Sequence, residues 1–389
     1  MIDSKHTPTA LILVLWLAGV SAAGQFAKIT VILPDLGQAF GVQGAALGLL
    51  LSLISAIGLV CGLFAGALVG RMGPKGLLIG GLCFGAAISL LQSALPDYPL
   101  FLASRLLEGI SHLLIVVAAP TVIGQITPLR HRASAMTLWS SFFAVSYAVF
   151  VWGGVPLVAA FGIPVFFWLH ALTMIVLAGC LWRMLPHDVI SRGSERLTLS
   201  NVWARHISAY SSPRIIAPAA GWLFYAAGFV ALVTVMPAYF IDALRQSLAG
   251  FLPLVTMIVS MTIGLVLVRR YSPVPVVISG FLLAVCFSMS LSIGAPIEIA
   301  GICILGAAGL VQSGSFSSIP VLNADPQEQA LANGAMAQMG NVGNMIGTPI
   351  LLALTQMFGL AGLIGFAATA FAGGASMHLW LAYLRRKAL

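Results

Sequence analysis

The sequence predicts an all-α membrane protein: twelve transmembrane helices in two pseudo-symmetric six-helix bundles. Three observations lead there. Hydrophobic residues make up 60% of the 389 and charged residues only 7%, too little polar surface to wrap a soluble globule. Apolar runs near 20 residues, the length that crosses roughly 30 Å of hydrocarbon, follow one another along the chain. The second half echoes the first at a spacing of about 200 residues. Inside lipid each run must close its own backbone hydrogen bonds, so each is expected to be a helix.

In chain order the expected spans are 9–34, 43–69, 75–94, 99–127, 132–160 and 164–185, then 214–241, 249–268, 274–294, 296–322, 328–357 and 360–383. The opening MIDSKHTPT has one lysine and no small-residue cleavage pattern, so the first run is expected to be a retained span. Short basic loops, LVGRMGP (68–74) and VRRYSP (268–273), separate the second from the third span of each half. The ninth and tenth spans are divided only by GAPIE, and the longest polar stretch runs over 186–213. The expected organisation is a bundle over 1–186, a cytoplasmic linker over 187–213 and a second bundle over 214–389.

Lysine and arginine set the orientation. With the N-terminus cytoplasmic, fifteen of the 18 basic residues fall in cytoplasmic segments, and this bias places both termini inside. Lys28 and Arg105 lie within spans, and only Arg245 falls outside. The net charge of +8 therefore reflects topology, and no nucleic acid partner is expected. The expected location is a bacterial inner membrane, with the lipid bilayer as surroundings and a monomer as the working unit. Cys61, Cys83, Cys180, Cys286 and Cys303 sit in apolar runs without CxxC or Cys/His spacing, so neither disulfide framework nor metal site is expected. No cofactor is implied.

The duplication is visible in PTVIGQITPLRHRASAM (120–136) against PVLNADPQEQALANGAM (320–336), which share Pro120/Pro320 and the Ala-Met pairs at 135–136 and 335–336. Upstream, Gly109 pairs with Gly309. Two six-span halves joined by a basic loop form a parallel repeat, the plan of transporters that rock one half against the other.

GALVGRMGPKGLL (66–78) resembles the signature loop of the major facilitator superfamily, and SRLLEGIS (104–111) resembles its fourth-span Arg-x-x-Gln/Glu-Gly pattern. With the topology, the resemblance covers essentially the whole chain. Within the family, the EGISH run is most similar to cyanate and nitroimidazole transporter-like or drug/metabolite carriers. The resemblance implies a cytoplasmic gating loop at Gly66, Arg71, Gly73 and Lys75. Gly70 stands where the pattern has Asp, and FVWGGVPL (150–157) has its Gly-Gly and Pro in the wrong order for the antiporter pattern.

The intramembrane charges are the candidate chemistry. A charge at the bilayer centre costs roughly 2.5–3.5 kcal/mol on insertion scales, so it usually faces a cavity or a partner. Arg105, Glu108 and His112 follow i, i+3, i+7 spacing, which places them on one helix face. The resemblance implies that spans one and four both line a central cavity, so Lys28 and Glu108 are expected to approach each other. Glu108 is the expected proton carrier if transport is proton-coupled. Lys28, Arg105, Gln25 and His112 are the expected substrate contacts in this half. The competing reading is structural: a neutralised Arg105–Glu108 pair, and a histidine that only packs. Lys28 and Arg105 against Glu108 leave a formal excess of +1, which suits a small anion or zwitterion.

From the second half, Tyr225, Gln312, Asn341 and Asn344 are expected as uncharged contacts. Amide- and Gly-mediated helix packing is the alternative for the AQMGNVGNMIG run (337–347). His170 and His378 carry no partner pattern and receive no role. The expected function is secondary active transport of a small solute, an organic or inorganic anion or zwitterion, by alternating access, with proton coupling left open and Glu108 its carrier where it operates. Multidrug or metabolite efflux by proton antiport is the alternative. A channel and a membrane-embedded enzyme are remote: ten acidic residues, nearly all in loops, supply no catalytic cluster.

Overall fold

The computed structural model describes residues 8–62, 73–185, 207 and 209–387. Gly66 and Arg71, two of the expected gating-loop residues, lie outside the described residues. The described elements are all helical. The first helices are α1 (Thr9–Phe40), α2 (Gly44–Ser52), α3 (Ser55–Gly62), α4 (Pro74–Ser93) and α5 (Tyr98–Ile126). Next come α6 (Leu129–Ser140), α7 (Phe142–Val149) and α8 (Val155–Met184). Then follow α9 (Ile216–Val235), α10 (Asp242–Val259), α11 (Leu265–Arg270), α12 (Pro273–Ser290), α13 (Ile297–Leu322) and α14 (Pro326–Lys387).

Among the described residues, nine continuous helices are long and apolar enough to cross a membrane, or ten when the bent pair α2 and α3 counts as one span. Two of these are broken internally. Gly162 has φ 79° inside α8 and Gly359 has φ 57° inside α14, a left-handed conformation that glycine adopts without a Cβ penalty. Both breaks fall where the sequence separates expected spans, five from six and eleven from twelve. Single π-turns interrupt the helical run ahead of the Gly162 break, at Phe150–Gly154, and one further span, at Ser260–Gly264.

α1 differs from expectation in length. The sequence suggests a stop at Pro34, but Pro34 lies inside a helix that continues to Phe40. A proline in a helix removes one backbone donor, a loss that neighbouring helices make tolerable in a membrane. Lys28 is consequently twelve residues from the end of α1, about 18 Å along the axis at 1.5 Å per residue.

The chain forms two compact units: residues 1–36 with 64–197, and residues 37–63 with 198–389. In the first, α4 packs on α5 and α8. Its core takes Leu15, Ala18 and Ala22 from α1, Leu78 and Leu82 from α4, Ile115 and Ala119 from α5, and Met174 and Leu181 from α8. In the second, α9 lies along α14, α12 packs on α13, and α2 packs on α14. The α9–α14 contact depends on small residues: a Cβ on Gly343 would run into the Leu223 carbonyl oxygen, and one on Gly347 into that of Ala227. Close backbone approach supplies the van der Waals contact that holds helices together where water exclusion does not.

Candidate functional site

The site is built in the first unit around α1, α4, α5 and α8. α5 starts cleanly because Asp97 Oδ1 accepts the Leu100 backbone N–H at 3.1 Å. Two turns on, the helix turns Ser104, Arg105 and Glu108 inward, all with no exposed surface. α1 brings Lys28, equally buried, to the same point. Lys28 Nζ donates to Glu108 Oε1 at 2.6 Å, so the expected approach of these two residues is present.

Glu108 is fully engaged. Its Oε2 accepts from Arg105, one helical turn away, and from Gln92 Nε2 of α4 at 2.9 Å. Gln92 Nε2 also reaches Ser104 Oγ at 3.1 Å. One carboxylate therefore bridges two cations, and the cluster keeps a formal charge of +1. Taking these charges out of water is costly, and the geometry offsets the cost through charge-assisted hydrogen bonds on both oxygens.

Lys28 has more than one partner. Ser89 Oγ of α4 lies 3.3 Å from Nζ, His170 Nδ1 of α8 lies 3.4 Å away, and the Phe167 ring centre lies 4.9 Å away. His170 was given no role from the sequence, and Ser89 and Gln92 were not singled out. A weak signal for His170 exists: His170 and His378 each sit in the last span of a half, near the repeat spacing. Each ring also lies against a glycine of its half's first span, Gly24 and Gly221 respectively.

The remaining expected residues are placed as follows. Gln25 Nε2 donates to Ser111 Oγ at 2.9 Å, and its buried Oε1 has no hydrogen-bond partner among the described residues. His112 Nδ1 is 3.0 Å from the Ala22 carbonyl, with its ring edge-on to Phe26 at 5.2 Å. Tyr225 donates to Gln312 Oε1 at 3.4 Å and stacks between Trp222 and Phe229, at 4.2 and 5.5 Å between ring centres. Asn341 Nδ2 is bonded to the Ala337 carbonyl of its own helix at 2.9 Å, and its side chain fills the space over Gly58. Asn344 is half-buried on α14. Of the residues expected in a gating loop, Gly73 stands at the N-terminus of α4 with φ 77°, and Lys75 donates to the Leu185 carbonyl.

A separate cavity of about 530 Å³ lies in the second unit, walled by Leu223, Phe224, Ile350, Phe358 and Phe366, with Thr369 its one hydroxyl. It offers no charge. The polar chemistry of the described residues is concentrated in the cluster around Glu108.

Long apolar helices that keep ionisable side chains paired inside define a multi-pass integral membrane protein with a polar interior site. The chain belongs to the Major Facilitator Superfamily, whose pattern matches residues 15–348. It is accordingly a transporter of small molecules rather than an enzyme.

Multidrug resistance protein 2 of Bacillus subtilis (strain 168) is 28% identical, over 37% of this chain and 36% of that relative, so only about a third of its length is matched. The 4-hydroxybenzoate transporter PcaK of Pseudomonas putida is 26% identical over 86% of this chain and 82% of that protein. Among solved structures, the fold is similar to a bacterial homologue of the human lysosomal transporter Spinster, solved inward-facing and unoccupied. That match has a TM-score of 0.70 at 13% identity and covers 97% of this chain and 95% of the other. It is also similar to the human organic anion transporter MFSD10 (TETRAN), with a TM-score of 0.67 at 16% identity, covering 96% and 100%.

Proposed function

We propose that the protein is a twelve-span secondary active transporter that moves a small anion or zwitterion by alternating access, with Glu108 as the proton-coupling carboxylate. One observation carries this reading: Lys28 and Arg105, both fully buried, share a single carboxylate. A proton on Glu108 would release both cations at once, and a substrate carboxylate would replace the lost partner through charge-assisted contacts. Proton and anion would then be bound together and released together. Gln25, with its unpartnered oxygen, and His112 are the accessory contacts of this half. Tyr225, Gln312, Asn341 and Asn344 are those of the second.

The relative named for 4-hydroxybenzoate transport, itself a small carboxylate, supports an organic anion. The breaks at Gly162 and Gly359, with the bent pair α2 and α3 counted as one span, support twelve spans, and the repeat at about 200 residues supports bundles over 1–186 and 214–389 joined by a cytoplasmic linker. The positive-inside bias supports cytoplasmic termini in a bacterial inner membrane, and the duplication within one chain supports a working monomer. Gly66, Arg71, Gly73 and Lys75 are assigned to the cytoplasmic gate. The test is uptake into proteoliposomes: an imposed pH gradient should drive anion accumulation by the wild type but not by Glu108→Gln. Undiminished gradient-driven uptake in that variant rules out the coupling role.

Efflux of drugs or metabolites by proton antiport is the second reading, favoured by the partial match to the multidrug resistance protein. Its mark would be saturable transport of lipophilic cations.

A further inference from the structure

His170 is buried on α8 and does two different things with its two ring nitrogens. Nε2 lies 3.0 Å from the Ser21 backbone carbonyl of α1. A carbonyl oxygen only accepts, so Nε2 carries the hydrogen, and in a neutral ring Nδ1 is then a bare acceptor. That acceptor lies 3.4 Å from Lys28 Nζ and 3.3 Å from Ser89 Oγ. Ser89 Oγ spends its own hydrogen on the Phe167 carbonyl at 3.0 Å, so toward Lys28 it too is an acceptor. The titratable groups around this point are Lys28 from α1, Arg105, Glu108 and His112 from α5, and Tyr147 from α7.

The Lys28 ammonium thus has three hydrogens and three acceptors of unequal strength. One is a carboxylate at 2.6 Å, and two are neutral atoms at 3.3 and 3.4 Å. If the carboxylate is taken away, two of the three acceptors remain in place. An ammonium stripped of every acceptor in a dry interior would give up its proton, because neither water nor a counter-charge supports it.

We infer that His170 and Ser89 form a second seat for the Lys28 ammonium. It is used when Glu108 is neutralised, and it keeps Lys28 charged for an anionic substrate. His170 is in this sense a positioning residue acting through Lys28. The inference rests on the proposed release of Lys28 by Glu108 and adds a residue that neither the charge pattern nor the family resemblance marks. Gly24 borders the seat: a Cβ there would run into the Phe150 ring that lies edge-on to His170 and would crowd Nε2.

The experiment uses the full chain in lipid nanodiscs with nitrogen-15 in the side-chain nitrogen of lysine. Lysines occur only at positions 5, 28, 75 and 387, so the Lys28 signal is assigned by its loss in Lys28→Met. Glu108→Gln stands in for the neutralised carboxylate. With His170 intact, Lys28 in this variant should keep its ammonium shift at pH 7. Adding His170→Phe, which preserves ring packing against Phe150 but removes one of the two neutral acceptors and leaves Ser89, should lower the Lys28 ammonium-to-amine ratio by about tenfold or more. Adding His170→Gln instead should restore the ammonium, because an amide both donates to Ser21 and accepts from Lys28.

An ammonium signal unchanged by His170→Phe overturns the inference, as does one already lost in Glu108→Gln alone. Should the Phe variant not fold, Ser89→Ala in the same background removes the other acceptor and should lower the ammonium-to-amine ratio by about tenfold or more, the effect of one hydrogen bond to a charged group; no change in that ratio across a pH titration is equally fatal. Failure of the coupling reading looks different: Glu108→Gln would retain gradient-driven uptake whatever the lysine signal does.

Discussion

Glu108 and Lys28 face each other at 2.6 Å with no exposed surface on either side chain, and the other carboxylate oxygen is bonded to Arg105. The pair is therefore two-thirds of a triad in which the acid is outnumbered, and removing different members has different electrostatic consequences.

Glu108→Gln leaves two buried cations without a counter-charge, whereas Lys28→Met leaves a neutral Arg105–Glu108 pair. Breaking a buried ion pair so that a charge is stranded costs about 3–5 kcal/mol, and Lys28→Met strands none, because Arg105 and Glu108 still neutralise each other. Thermal unfolding in detergent should therefore show Glu108→Gln much less stable than Lys28→Met. The reverse order would mean that the carboxylate is not the centre of the cluster.

Gln25 offers a way to separate binding from stability. Gln25→Leu removes the bond to Ser111 and also an oxygen that has no partner, so the net change in stability should stay within about 1 kcal/mol. If Gln25 contacts the substrate, the KM for the transported anion should rise several-fold while the melting temperature barely moves. A fall in stability with unchanged KM would make it a packing residue.

Tyr225 combines a long hydrogen bond to Gln312 with ring stacking on both sides. Tyr225→Phe keeps the stack and should cost under about 1 kcal/mol, whereas Tyr225→Ala opens a cavity and should cost roughly 3 kcal/mol or more. Unfolding midpoints of the two variants check the ratio. Equal losses would assign the residue's worth to its hydroxyl.

Gly347 sits where α14 meets the Ala227 carbonyl. Gly347→Leu forces the helices apart, and overpacking of this kind costs about 1–3 kcal/mol. The nearby exposed Gly365, where a Cβ meets nothing, is the control: Gly365→Ala should hold the unfolding midpoint or raise it slightly, since alanine is the better helix former by up to about 1 kcal/mol.

The helical class and most boundaries were legible because a bilayer forces long apolar runs and marks cytoplasmic loops with lysine and arginine. The Lys28–Glu108 contact was legible once a family resemblance placed spans one and four side by side. The spacing 105, 108, 112 correctly put those residues on α5, but His112 uses its Nδ1 on the Ala22 backbone. His170 was only faintly legible, through its repeat spacing to His378, because one of its partners is a backbone carbonyl and the others, Ser89 and Lys28, come from helices about 80 and 140 residues away. Pro34 misled for a local reason: in water it would end a helix, and here α1 runs through it. In the AQMGNVGNMIG run the amide- and Gly-mediated packing is what the structure displays: Gly343 and Gly347 pack on α9, and Asn341 lies over Gly58.

The most direct test is counterflow in proteoliposomes with a panel of labelled small carboxylates, zwitterions and lipophilic cations, run for the wild type and for Lys28→Met. Saturable exchange of a carboxylate that disappears in Lys28→Met, while the variant still folds, is the result expected of an anion site built on Lys28 and Arg105. Saturable exchange of a lipophilic cation that persists in Lys28→Met would contradict it.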